Sequence, residues 1–72
     1  MSMERDAHRY AIRNAFDHHG KADMAAVIGK LKALYPEGNI KEMVPLAKRA
    51  VEKVNAMDMN AIRSEYTQFE KE

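Results

Sequence analysis

Apolar positions recur along this chain at helical spacing, and no stretch alternates as a strand would. Over residues 3–18, Ala7, Ala11, Ile12, Ala15 and Phe16 form one mixed apolar face, and Gly20 follows as the expected C′ residue of a first helix. Asp23 reads as the N-cap of a second helix, in which Met24, Val27, Ile28, Leu31, Leu34 and Tyr35 fall at i, i+3, i+4 and i+7. This is the strongest helical pattern in the chain. Pro36 disfavours the α conformation at Tyr35 and ends the helix there, while Glu37, Gly38 and Asn39 complete the break. A third stripe contains Ile40, Met43, Val44, Ala47, Ala50, Val51 and Val54. Pro45 lacks an N–H and its ring crowds the preceding turn, which suits the first turn of a helix. The pattern therefore predicts a short turn over residues 40–43 and a main helix over 44–57, with one kinked helix from Asn39 as the alternative. Asp58 opens a fourth helix, setting Met59, Ile62, Tyr66 and Phe69 at 3, 4, 3 spacing. Short connections make neighbouring helices antiparallel. The expected fold class is all-α, a compact array of about four short amphipathic helices in a single domain over residues 1–72.

Size and charge narrow the picture. A chain of 72 residues buries only about 60% of its unfolded surface, so its stability is marginal. It has no cysteine, which excludes disulfides and thiolate metal sites, and a reducing cytoplasm fits that absence. No apolar run approaches the ~18 residues of a membrane span, and no signal-peptide core is present, so no membrane association is expected. Twelve Lys+Arg against 11 Asp+Glu leave a formal charge of +1. Binding that rests on phosphate neutralisation needs a clustered basic face, so any such face here must arise from distribution and serve an auxiliary contact.

His8, His18 and His19 invite a metal or acid–base reading. Adjacent helical residues point about 100° apart, neither His18 nor His19 has a histidine or cysteine at i+4, and no cysteine could complete a zinc site. They read instead as solvated or capping histidines near a helix C-terminus, and no metal is expected. Glu52 with Lys48 and Asp17 with Arg13 read as surface pairs. No Ser/His/Asp set or phosphate-cradling glycine loop occurs. Gly29 lies mid-helix, which costs about 1 kcal/mol relative to alanine, and the expected reason is close helix–helix approach. The functional alternative is backbone access for an RNA phosphate. Arg5, Arg9 and Arg13 repeat every four residues along the first helix. Lys30 and Lys32, with Lys48, Arg49 and Lys53, form a second basic group if the second and third helices pack side by side, and Lys21 sits in a connecting turn. Each of these also reads as part of a solvated face. Tyr10, Tyr35 and Tyr66 follow the apolar stripes, so backbone contact with folded RNA is expected rather than base stacking.

Residues 20–55, GKADMAAVIGKLKALYPEGNIKEMVPLAKRAVEKVN, resemble the extra N-terminal domain that archaeal glutamyl-tRNA synthetases carry ahead of their catalytic domain. The likeness rests on Gly20-Lys21-Ala22, on Val27-Ile28-Gly29-Lys30, on Val44-Pro45-Leu46, and on a Lys/Glu-rich helix closing in Val54-Asn55, and it extends from about Ala11 to the end. The Gly…Val-Ile-Gly-Lys-Leu part is also similar, more distantly, to the helical tail of the tRNA-dependent amidotransferase B subunit (GatB/YqeY-like). The His-Ile-Gly-His and Lys-Met-Ser-Lys-Ser type signatures of the synthetase active site are absent from these residues. The resemblance implies a non-catalytic piece preceding a class I catalytic domain, without a cofactor of its own, while the parent uses ATP and Mg²⁺. Its implied partners are tRNA, held through Lys21, Lys30, Lys32, Lys48, Arg49, Lys53, Arg5, Arg9 and Arg13, and the parent's catalytic domain. The rival reading is a helical protein–protein docking module within a translation complex, for which six methionines supply adaptable apolar contacts. A small independent enzyme has no residues to carry it, and a near-neutral charge argues against a helix-turn-helix DNA reader.

Overall fold

Four polar side chains start four helices. The Ser2 hydroxyl accepts from the Arg5 N–H at 3.1 Å, the Asp23 carboxylate from Ala26 at 3.1 Å, the Asn39 amide oxygen from Lys41 at 2.9 Å, and the Asp58 carboxylate from Ala61 at 2.8 Å. Each satisfies a donor that the first helical turn leaves unpaired. In the computed structural model, which describes residues 2–72, these caps precede α1 (Met3–Asp17), α2 (Met24–Leu34), α3 (Ile40–Asn55) and α4 (Met59–Lys71). No strand occurs among the described residues.

The apolar stripes meet in one core. Ala7, Ala11, Ile12 and Ala15 of α1, Val27 and Leu31 of α2, five residues of α3 including Met43 and Val54, and Ile62 of α4 are buried. Alanines on α1 let its neighbours approach closely, and α1 packs against each of the other three helices. The α4 helix rests mainly on α1, with Ile62 buried and Tyr66 stacked on Phe16 at 4.1 Å between ring centroids. Asn55, at the end of α3, clamps the α1–α2 turn: its side-chain oxygen accepts from the Ala22 N–H at 2.7 Å and its amide donates to the Ala22 carbonyl at 3.2 Å. Asn14 adds a third tie by accepting from the Asp23 N–H at 2.6 Å.

Several local expectations change. The third helix is one helix beginning at Ile40 and ending at Asn55, not a turn followed by a helix to residue 57. Its first turn closes upstream of the proline, with Glu42 and Met43 donating to the Asn39 carbonyl, so Pro45 removes only the bond that the carbonyl of exposed Lys41 would receive. The first helix stops at Asp17. His19, not Gly20, takes the left-handed C′ position (φ 58°), and Gly20 follows at φ 96° with its N–H bonded to the Ala15 carbonyl at 2.7 Å. Gly29 does not serve close helix approach. A Cβ built there would meet nothing within 4 Å.

Candidate nucleic-acid interface

The first basic row is consumed by α4. Arg5 and Arg9 reach the Glu72 carboxylate at 2.9 and 3.3 Å, and Arg13 reaches Glu70 at 3.2 Å. Arg9 also donates to the Phe69 carbonyl at 3.2 Å and lies 5.3 Å above the Phe69 ring. The expected Asp17–Arg13 and Lys48–Glu52 pairs are not among the ion pairs of the described residues; for Arg13 the reason is that α4 offers a carboxylate from outside its own helix. His8 belongs to the same seam and is not merely solvated: its Nε2 lies 2.6 Å from Glu65, and its ring stands nearly perpendicular to that of Phe69 at 6.1 Å between centroids. His18 does cap, its Nδ1 lying 2.9 Å from the Asn14 carbonyl in the last turn of α1. No group of three potential metal ligands comes together among the described residues.

The second basic group is divided by helical geometry. Lys30 and Lys32 stand two residues apart, about 200° around α2, and so occupy opposite flanks. Lys30 lines a groove with Tyr10, Arg13, Asn14, Asp17 and Ala26 on the α1 side. Arg49 and Lys53 line a different groove with Glu4, His8, Leu46 and Ala50. Lys48 is 100° from Arg49 and exposed, and Lys21 is exposed in the turn that Asn55 holds. The two helices do pack side by side, yet Lys30 lines one groove and Arg49 with Lys53 another.

What the residue pattern did not announce is the outward face of α2. Ala25, Ala26, Gly29 and Ala33 are exposed there, flanked by Lys30 and Lys32, and α2 contains no acidic residue. A signal for it was present in MAAVIGKLKAL, where small residues occupy the positions that an ordinary solvated helix fills with Glu and Gln. At the other end of α2 the Tyr35 hydroxyl donates to the Asp6 carboxylate. That hydrogen bond, aided by desolvation and by the nearby negative charge, pushes the Tyr35 pKa above its usual value.

No protein-family model matches the chain, and no solved structure resembles it closely enough to register. Curated relatives do. The chain is 42% identical over 62 residues to a glutamate–tRNA ligase of Pyrococcus abyssi, 38% over 71 residues to one of Metallosphaera sedula, and 44% over 61 residues to one of Thermococcus onnurineus. The chain is homologous to a segment of archaeal glutamate–tRNA ligases. These matches take in 83%, 96% and 82% of the chain but only 11%, 12% and 11% of the ligases. The structure gives the shared pattern a physical meaning. Gly20, Ala22 and Asn55, which carry part of the synthetase resemblance, are the left-handed turn, its buried apex and the side chain that clamps it. They hold the α1–α2 turn. Gly29 is the member of that pattern without a packing role.

Proposed function

We propose that this chain is an appended, non-catalytic helical domain of a glutamate–tRNA ligase, lying ahead of the catalytic domain and helping to hold tRNA on the parent enzyme. The observation that carries the reading is the outer face of α2: an unshielded glycine backbone, small neighbours, flanking Lys30 and Lys32, and no carboxylate within the helix itself. A phosphate chain can approach such a face closely, and the flanking lysine ammoniums favour it electrostatically. A weak module tethered to the main site acts through effective concentration, so it lowers the parent's Michaelis constant for tRNA and leaves turnover alone. The parent would activate glutamate with ATP and Mg²⁺ in the cytoplasm, and this domain would contribute binding only.

Gly29→Ala tests the reading with opposite signs. It should stabilise the domain, since alanine is the better helix former and the added methyl meets nothing, while weakening tRNA binding by keeping the phosphates away. Lys30→Gln with Lys32→Gln should weaken binding and reduce the slope of log affinity against log salt by roughly 1 per lost contact. Unchanged affinity and slope in both variants would remove the α2 face from RNA binding, and the same outcome in an Arg5→Gln/Arg9→Gln/Arg13→Gln variant would remove the RNA role. The second reading, protein docking, is favoured by Leu34, Ile40 and Val44, which are 42%, 47% and 40% exposed. Apolar docking there would be nearly indifferent to salt, and the same titration separates the two.

A further inference from the structure

The arginines of α1 that match a phosphate row in their spacing are held by carboxylates. They rise in steps of about 6 Å along one helix face. Glu72 takes Arg5 and Arg9, and Glu70 takes Arg13. The outer pairs are open to water, the side chains of Arg5 and Arg13 being 60% and 54% exposed and those of Glu72 and Glu70 45% and 48%, while Arg9 between them is 35% exposed and also held by Phe69. A guanidinium has five donors, and a single carboxylate leaves several free. Surface pairs of this kind are individually weak, so a denser, repeating anion can displace them. The anchorage of α4 lies elsewhere, in buried Ile62 and the Phe16–Tyr66 stack. Glu70 and Glu72 can therefore turn away without the helix leaving the bundle.

Beside the row runs a groove of about 290 Å³, walled by Tyr10, Tyr66, Phe69 and Leu34 along with Arg9 and Arg13. Asp6, which the Tyr35 hydroxyl engages, closes one part of it. Aromatic walls next to spaced guanidiniums suit a ribose or an unpaired base whose phosphates lie on the arginines. We propose that Arg5, Arg9 and Arg13 form a masked site for an RNA sugar–phosphate backbone, closed by Glu70 and Glu72 in the places phosphates would occupy. This rests on the proposed tRNA role for the class of ligand and not on the α2 face.

The test compares Glu70→Gln/Glu72→Gln with the unaltered chain, titrating a glutamate tRNA transcript by fluorescence anisotropy over a range of salt. Unmasking should tighten binding roughly tenfold at low salt, the product of a few weak pairs, and steepen the log–log salt slope by about 2–3. Adding Arg5→Gln, Arg9→Gln and Arg13→Gln should return both quantities to those of the unaltered chain. Glu37→Gln/Glu52→Gln, which changes net charge equally but elsewhere, should give at most a small gain. Lys30→Gln/Lys32→Gln in the unmasked background should leave the gain intact, so failure of the α2 reading and failure of the masked row are separately visible. An unchanged slope on unmasking, or a gain that survives loss of the three arginines, overturns the proposal. Tightening toward poly-glutamate but not tRNA also overturns it and gives the row to an acidic protein. Should the double variant lose helicity, the arginine side-chain NMR signals of the unaltered chain serve instead. Addition of tRNA at low salt should shift those of Arg5, Arg9 and Arg13, and their invariance counts against the site.

Discussion

Asn55→Ala removes the clamp between the end of α3 and the start of α2, and its cost can be worked from the geometry. The side chain makes two hydrogen bonds to Ala22, at 2.7 and 3.2 Å, and Ala22 is only 8% exposed. An ordinary hydrogen bond contributes about 0.5–1.5 kcal/mol net, but an orphaned, largely buried backbone group costs about 1–3 kcal/mol. Alanine orphans both the N–H and the C=O, and partial hydration of the loosened turn offsets some of this, so the expected loss is about 2–4 kcal/mol. A chain of 72 residues has about 4–11 kcal/mol in total, so the change removes a large share. Urea unfolding followed by far-UV circular dichroism should show an unchanged m-value and, with m near 1 kcal/mol/M, a midpoint lower by about 2 M or more. Asn55→Asp retains the acceptor for the Ala22 N–H and loses the donor, so it should fall between the two. An Asn55→Ala midpoint within about 0.5 M of the unaltered chain would refute the argument, because the turn would then not depend on that side chain.

Other outcomes are expected from the same structure. Leu31→Ala truncates a fully buried side chain of the core and should cost about 2–5 kcal/mol in the same unfolding assay. Gly20→Ala should destabilise the domain, since φ is 96° and a Cβ would stand 3.1 Å from the Met59 sulfur; an unchanged midpoint would show that the turn can re-form without glycine at this position. The Tyr35 pKa is raised in the fold by its bond to Asp6, so the stabilisation from the neutral hydroxyl is fully present below its ordinary value near 10 and is lost as pH rises through the raised one. Tyr35→Phe should flatten that alkaline limb of a stability–pH profile. The isolated chain should show no glutamate-dependent ATP–pyrophosphate exchange above a blank, with or without tRNA.

Local chemistry alone determined much of this protein. The caps at Asp23 and Asp58, the stop before Pro36 and the stripe through Val27 and Leu31 are each decided within a turn or two of chain, where spacing and capping act directly. The family likeness was also legible, because it rests on short contiguous runs such as Gly20-Lys21-Ala22 and Val27-Ile28-Gly29-Lys30 that are read without tertiary information. What the sequence left open were matters of competition between elements. Pro45 sits inside α3 because the Asn39 cap completes a turn ahead of it, a contest that spacing does not rank. Gly29 looked like a packing glycine until the placement of α2 left it facing outward with nothing near. The arginine row looked free because its partners, Glu70 and Glu72, lie some sixty residues away, and only the docking of α4 onto α1 brings them within 2.9–3.3 Å. Lys30 and Arg49 looked like one patch because their helices pack together. The rotation of each helix about its own axis separates them, and the burial of Leu31 and Val54 in the shared core sets that rotation.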